Sequence, residues 1–173
     1  MKIFGLAGWS GSGKTQTLVS LLSVFISRGI SVSTVKHAHH NFDIDKPGKD
    51  SYEHRQAGAN EVMVASSRRW ALMHENLNDM ETDLDNLIKK LTPVDLVLIE
   101  GFKFHPHPKI EIHRPTLGKK LIGTEDPHIV AVASDKPLKL NDLPVIDLNN
   151  SSKIADFIGK FSGLTYDRKT GIA

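Results

Sequence analysis

Cysteine is absent from all 173 residues. That absence excludes disulfides, thiolate zinc sites and iron–sulfur ligation. Long apolar runs are absent too: none approaches the roughly 20 residues that cross a bilayer. After Met1 and Lys2 only a few apolar residues precede Ser10 and Gly11, so no secretory leader is expected and the expected location is the cytoplasm. Charge of one sign is scarce. Twenty-two Lys and Arg face 20 Asp and Glu, a net charge of +2, which leaves no electrostatic footprint for nucleic acid or for an anionic membrane. There is no internal repeat, no low-complexity segment and no N-K-x-D guanine-reading motif. With 39% hydrophobic and 24% charged residues the chain reads as soluble and globular. One domain over 1–162 is expected, with 163–173 as a frayed polar tail.

What is present is an alternation of strand and helix signals. "KIFGLAG" (2–8) reads as a short buried strand ending in glycine. Leu18, Leu21, Leu22, Phe25 and Ile26 recur at helical spacing between Lys14 and Arg28, and Gly29 stops them. "ISVSTVKH" (30–37) is rich in β-branched residues and reads as a second strand, completing a βαβ unit. The segment 37–50 is polar and aperiodic, a loop, with a short helix expected over 51–57. A hairpin is expected over 61–66 and 69–75, turning at Ser67 and Arg68. "DLDNLIKKL" (83–91) reads as helix, and "DLVLIEG" (95–101) as a strand covered on both faces. Further strands are expected at 109–113, 129–133 and 144–147, and a last helix over Ser151–Phe161. The order predicts an α/β fold: a P-loop NTPase-like three-layer sandwich with a mainly parallel sheet plus extra antiparallel strands.

The stretch "GWSGSGKT", Gly8 to Thr15, matches G-x-x-x-x-G-K-[ST]. A loop that wraps a phosphate turns its N–H groups inward, and glycine reaches the φ values this needs. The N-terminus of the following helix adds unpaired N–H groups and partial positive charge. Gly11, Ser12, Gly13, Lys14 and Thr15 are therefore the expected phosphate-binding residues. Lys14 supplies a point charge for the outer phosphates, and the Thr15 hydroxyl is an expected Mg²⁺ ligand. A bare glycine-rich turn is the competing reading; the preceding strand and following helix argue against it.

Such a loop needs an acidic partner near the metal. Asp95 and Glu100 flank "LVLI", and ligands gather at the carboxyl ends of parallel strands. Glu100 is therefore the expected second metal ligand. The loop 37–50 is the candidate switch or ligand segment, through His37, Asp45 and Asp50, with Asp43 beside them. "VAVASDKPL" (130–138) ends a strand at Ser134 and Asp135. A carboxylate there would accept hydrogen bonds from guanine, although a turn cap is the plainer role for both residues.

The runs "AGWSGSGKT", "VKHAHHNFDIDKPGKDSYEHRQAGA", "SRRWALMHE", "LVLIEGFK" and "VAVASDKPL", in this order, resemble the MobB family of molybdopterin-guanine dinucleotide biosynthesis proteins. The resemblance covers the chain to about Gly159. It implies a homodimeric GTP-binding protein with Mg²⁺ and weak GTPase activity. Such a protein assists a MobA-type guanylyltransferase, which joins GMP to molybdopterin. Carried onto this chain, Gly11 to Thr15 bind phosphate, Thr15 and Glu100 bind Mg²⁺, and Ser134 and Asp135 lie near guanine. The segment around His37, Asp45 and Asp50 lines the site.

The residues agree with slow turnover. Fast GTPases position water with a dedicated residue and neutralise charge with an arginine. Here there are only two glutamines, Gln16 and Gln56, and Arg68 and Arg69 sit on the expected hairpin turn. Two rival enzymes share the P-loop. The histidine clusters His37, His39, His40 and His105, His107 motivate a metal-delivery GTPase of the nickel-chaperone type. A small-molecule kinase would need an arginine-bearing lid, and the six arginines are scattered. A binding module without turnover is the third alternative. Trp9, unusual in such a loop, is expected to pack or to cap the phosphate site. The segments 61–66, 69–75 and 109–114 are read as extra edge strands through which two copies pair.

Overall fold

Apolar residues at every second position of four strands set one face of a sheet. Phe4 and Leu6, Leu96 and Leu98, Ile110 and Ile112, and Ala131 and Ala133 form one core with Leu18, Leu21 and Phe25 and with Ile154, Ala155 and Ile158. The alternation follows from the two-residue period of a strand, and the 3- and 4-residue steps from one face of a helix. Each buried leucine, isoleucine and phenylalanine of this core contributes about 1.5–3 kcal/mol by leaving water.

The computed structural model describes residues 1–38, 42–76 and 82–165. They group into two compact units, residues 1–37 with those from 91 onward, and residues 38–90. In the first unit the elements are β1 (Lys2–Ala7), α1 (Lys14–Ser27), β2 (Val32–Lys36), β5 (Leu96–Glu100), β6 (Lys109–His113), β7 (Ile129–Ser134), β8 (Val145–Asp147) and α4 (Ser151–Ser162). The second unit holds α2 (Asp50–Gln56), β3 (Glu61–Ala65), β4 (Trp70–His74) and α3 (Leu84–Ile88). The six strands of the first unit run in the order β2-β5-β1-β6-β7-β8, every pair parallel. β3 and β4 form a separate antiparallel pair. This is the mainly parallel sheet with added antiparallel strands that the sequence predicts.

One expectation is corrected. The strand at 109–113 is not an extra edge strand. β6 lies between β1 and β7 with all five residues buried, so its N–H and C=O groups already have neighbours on both sides. The sequence stretch alone could not show that, because strand order is set by which chain segments cross over which. The helix expected over 83–91 is also shorter, ending at Ile88, before Pro93 restricts the residue preceding it. α4 ends at Gly163, whose φ of 64° is the left-handed conformation that suits glycine. Leu164 still packs on the core, and residues 166–173 of the expected tail lie outside the described residues. No helix among the described residues is long and apolar enough to cross a membrane.

The opposite face of β6 is charged. Lys109, Glu111 and His113 alternate with Ile110 and Ile112 and are all buried. Burying charge is tolerable only when it is paired and hydrogen-bonded. The Lys109 ammonium donates to the carbonyls of His105 (2.8 Å) and His107 (3.2 Å) and lies 3.3 Å from the Asp126 carboxylate. The Glu111 carboxylate accepts the backbone N–H groups of Ile122 (3.0 Å) and Gly123 (2.9 Å). These bonds clamp segments 103–108 and 114–128 onto the sheet. Gly5 makes the room: a Cβ there would overlap the His107 ring and fall 2.7 Å from Lys109 Cγ.

Burial pushes the His107 imidazole down to about 4, with Lys109 and His105 adding repulsion. Between pH 6.5 and 4 the unfolded chain therefore binds a proton at His107 that the folded chain refuses. Stability from this group is present above about pH 6.5 and is lost as pH falls toward 4. The His107→Gln variant should show a flatter dependence of melting temperature on pH in that window, and a slope equal to that of the parent chain would rule the assignment out.

Candidate phosphate and metal site

The site is built at the carboxyl ends of the parallel strands. β1 ends at Ala7 and the chain turns at once. Gly8 has no space for a side chain, since a Cβ would lie 2.6 Å from the Ile112 carbonyl and 2.7 Å from Ser12 Oγ. Gly13 caps α1 at φ 96°, a left-handed conformation that a side chain would strain. The loop between them leads directly into the first turn of α1, where backbone N–H groups have no partner within the helix.

Lys14 folds back over this loop and donates to the carbonyls of Gly8 (2.9 Å) and Trp9 (3.1 Å). Partial burial holds its ammonium below the usual lysine range; Glu100 opposes that shift, while Lys103 and Lys36 reinforce it. The Thr15 hydroxyl donates to Glu100 Oε1 at 2.7 Å. Glu100 is buried at the end of β5, level with Leu6 on β1 and Lys36 on β2. Thus Gly11 to Thr15 and Glu100, separated by 85 residues in sequence, form one group.

Ser134 and Asp135 stand at the end of β7. The Ser134 hydroxyl donates to the Lys136 carbonyl (2.8 Å) and accepts from its N–H (3.2 Å), a turn-forming role. Asp135 Oδ2 accepts from Arg114 Nη1 at 2.6 Å, and Arg114 Nε donates to the Ser12 carbonyl at 3.1 Å. Arg114 thereby links the phosphate-loop backbone to Asp135. Asp135 Oδ1 is buried without a hydrogen-bond partner. Beside it a cavity of about 510 Å³ is lined by Ser134, Asp135, Lys136, Ile146, Asp147 and Asn149.

The MobB family, molybdopterin guanine dinucleotide synthesis protein B, matches residues 3–135. The chain is 44% identical over 161 residues to the molybdopterin-guanine dinucleotide biosynthesis adapter protein of Escherichia coli, covering 90% of each chain. It is 44% identical over 158 residues to the adapter protein of the same name from Haemophilus influenzae, covering 90% of this chain and 86% of that one. The chain belongs to the MobB family. The crystal structure of Bacillus subtilis MobB is similar in fold, with a TM-score of 0.73 at 25% identity over 92% of this chain and 97% of that one. The fold is the P-loop NTPase-like α/β fold expected from the sequence.

Within this MobB-family chain the remaining predicted residues are divided between the two units. The His37 N–H donates to the Glu100 carbonyl at 2.8 Å, and its ring stacks on Phe102 with centroids 4.6 Å apart. Asp45 and Asp50 belong to the other unit. The Asp45 carboxylate accepts from Ser51 Oγ (2.9 Å) and the Lys46 N–H (3.0 Å) and lies 3.5 Å from Arg55 Nε. Arg55 also pairs with Asp43 and Glu75, each at 2.9 Å. The Asp45 N–H first, and Arg55 next, hold the Asp43 carboxyl below its usual range. Asp50 lies in the first turn of α2, where a carboxylate favours the helix dipole. Arg68 and Arg69 sit on the β3–β4 turn, their N–H groups bonded to Ser66 Oγ.

The described histidines of the two clusters are His37, His105 and His107. His105 and His107 approach through their Nδ1 atoms at 3.1 Å, and His39 and His40 lie outside the described residues. Among the described residues no group of three or more His, Asp or Glu is placed to hold a metal ion.

Arg114 was the functional-site residue not singled out from sequence. The available signal was its position one residue past the end of a parallel strand. Replacing it with alanine removes two charge-assisted bonds donated by the guanidinium, a loss of about 1.5–3 kcal/mol. A double-mutant cycle of Arg114→Ala with Asp135→Asn should give clearly non-additive losses in melting temperature. Additive losses would show that the two side chains act separately.

Proposed function

We propose that this chain is an adapter protein of molybdopterin-guanine dinucleotide synthesis that works by binding GTP with Mg²⁺. The observation that carries the reading is the Thr15–Glu100 contact at 2.7 Å beside the glycine loop. Mg²⁺ takes hard oxygen ligands and usually keeps several waters. One hydroxyl and one buried carboxylate, side by side, fit that preference. Thr15 and Glu100 would hold the ion, and the bound ion would neutralise phosphate charge. The N–H groups of Gly11 to Thr15 would bind the phosphates, and the Lys14 ammonium would exchange its carbonyl contacts for phosphate oxygens. The cavity beside Asp135 would take the base, with Asp135 Oδ1 as the acceptor for guanine N–H groups.

Turnover in this reading is weak. Gln16 is exposed on α1, Gln56 belongs to the unit 38–90, and Arg114 is held by Ser12 and Asp135. Neither Gln16 nor Arg114 is set to align a water on an outer phosphate. The nucleotide-bound form would then serve a MobA-type guanylyltransferase that joins GMP to molybdopterin, in the cytoplasm. The name "adapter" carried by the two 44% identical relatives supports this role.

Calorimetry with GTP, GDP and ATP in Mg²⁺ tests the assignment. GTP should bind more tightly than ATP, and Lys14→Ala should weaken GTP by at least about tenfold. Tighter binding of ATP would end the guanine assignment, and phosphate release at the rate of an activated GTPase would end the weak-turnover reading.

A homodimer is part of the proposal. In the β3–β4 pair, Met63 faces Leu72 and Ala65 faces Trp70, so these four share one side of the hairpin. Met63, Trp70 and Leu72 are 61%, 64% and 40% exposed, an apolar face of the kind that a second copy would cover. Light scattering should report a dimer for the parent chain and a monomer for Trp70→Glu. A monomeric parent at micromolar concentration would remove the dimer.

A further inference from the structure

The turn after Glu100 has a shape that a connecting loop does not need. Gly101 has φ 103°, and Phe102 follows with φ 49°. Phe102 is the only non-glycine residue with positive φ among the described residues. A bulky side chain in that region is strained and persists only where the surroundings enforce it. They do so here. The Phe102 ring stacks on His37 at 4.6 Å and an interplanar angle of 26°. The His37 backbone is tied to the Glu100 carbonyl at 2.8 Å. A Cβ on Gly101 would fall 2.6 Å from His37 Cβ. Two consecutive left-handed residues, packed against the end of β2, fix the direction in which the next side chain leaves.

That next side chain is Lys103. Its ammonium lies 5.1 Å from the centroid of the Trp9 ring, a cation–π contact. Trp9 is itself in the phosphate loop, and its carbonyl accepts the Lys14 ammonium at 3.1 Å. The indole is pinned at its far side by Nε1 donating to the Lys120 carbonyl at 2.8 Å. One residue of the loop thus meets three ammonium groups, Lys14 on its main chain, Lys103 on its ring and Lys119 at 5.9 Å from the same ring centroid. Lys36, at the end of β2, adds a further positive charge near Lys14. The carboxylate in this group is Glu100, already bonded to Thr15. Four cations against one carboxylate, in a chain of net charge +2, repel one another unless an anion joins them.

We propose that Lys103 is a second phosphate-binding cation, parked on the Trp9 ring and positioned by the strained Gly101–Phe102 turn to close on the outermost phosphate of the nucleotide. The inference rests on the nucleotide reading above. It gives Trp9 a role that a phosphate loop does not otherwise require, as the resting place for a charge that must stay near the phosphates without filling their site. A lysine ammonium on a flexible stem suits the task, because it can leave an aromatic face and reach an oxygen without moving the backbone. It would let a lysine distinguish triphosphate from diphosphate while Arg114 stays held by Ser12 and Asp135.

The test compares Lys103→Ala, Lys103→Arg and Lys14→Ala by calorimetry with GTP and GDP in Mg²⁺. Trp9 emission is followed in a Trp70→Phe background, where Trp9 is the only tryptophan. Lys103→Ala should weaken GTP about tenfold and GDP much less, and Lys103→Arg should recover part of the loss. GTP should change Trp9 emission in the parent, and Lys103→Ala should suppress that change. If Lys14→Ala abolishes GTP binding while Lys103→Ala binds GTP and GDP as the parent does, the role of Lys103 is overturned and the nucleotide reading stands. If Lys14→Ala also leaves GTP binding unchanged, both fall together.

Discussion

The hydrogen bond from Thr15 to Glu100 joins the first turn of α1 to the end of β5, and the geometry of the site follows from it. It exists because β1 and β5 are parallel neighbours in a register that sets Leu6 opposite Glu100. A shift of one residue would turn the Glu100 side chain to the other face of the sheet and remove it from Thr15. The same register places the phosphate loop and the turn at Gly101 side by side. With Glu100 fixed, the chain has one residue of glycine freedom before Phe102 packs on His37, so the lysine that follows is delivered toward Trp9. A contact between two small polar groups thus fixes the position of a loop, a strained turn and a third charged side chain.

The buried charges of β6 are the second constraint. A parallel strand covered on both faces normally reads as a continuous apolar run, as β5 does. β6 departs from that pattern at Lys109, Glu111 and His113, and carries the desolvation cost of doing so. What that cost secures is visible in the partners. Lys109 holds the carbonyls of His105 and His107, and Glu111 holds the amides of Ile122 and Gly123. Those bonds fasten the two irregular segments that flank β6. One begins at Lys103 and the other at Arg114. An apolar β6 would pack at least as well, but it would leave both segments without polar anchors on the sheet.

The glycine loop, the parallel sheet and the approach of Thr15 to Glu100 were legible in the sequence because each depends on local signals. Those signals are glycine spacing, an apolar strand and a carboxylate at its end. The placement of residues 109–113 was not legible. "KIEIH" alternates in charge like an edge strand, and only the pairing partners of Lys109 and Glu111, 11 to 17 residues away, make it interior. Arg114 was hidden for a similar reason. Its two partners are Ser12, 102 residues earlier, and Asp135, 21 residues later, and no spacing rule connects them. Asp45 was read into the site because it sits in a long polar loop; in the structure its carboxylate bonds Ser51 and lies beside Arg55. A polar loop that contains an arginine partner for its own acids can be polar for structural reasons alone.

In the guanine reading proposed above, Arg114 would stand in for part of what an N-K-x-D motif does. A guanine site must hold a carboxylate toward the base and keep the base-reading turn in register with the phosphate loop. In this chain the arginine after β6 reaches both ends of that requirement, with one nitrogen on the Ser12 carbonyl and another on Asp135. Its planar guanidinium fixes two partners at a set separation, which a lysine point charge would not do. The pairing leaves one Asp135 oxygen committed to Arg114 and the other buried without a partner beside the cavity. A base bound there would meet one acceptor oxygen rather than two, and guanine selectivity would rest on fewer hydrogen bonds than a free carboxylate offers. In the reading proposed above, weak discrimination of the base would be tolerable, because the phosphates and their cations would supply most of the attraction.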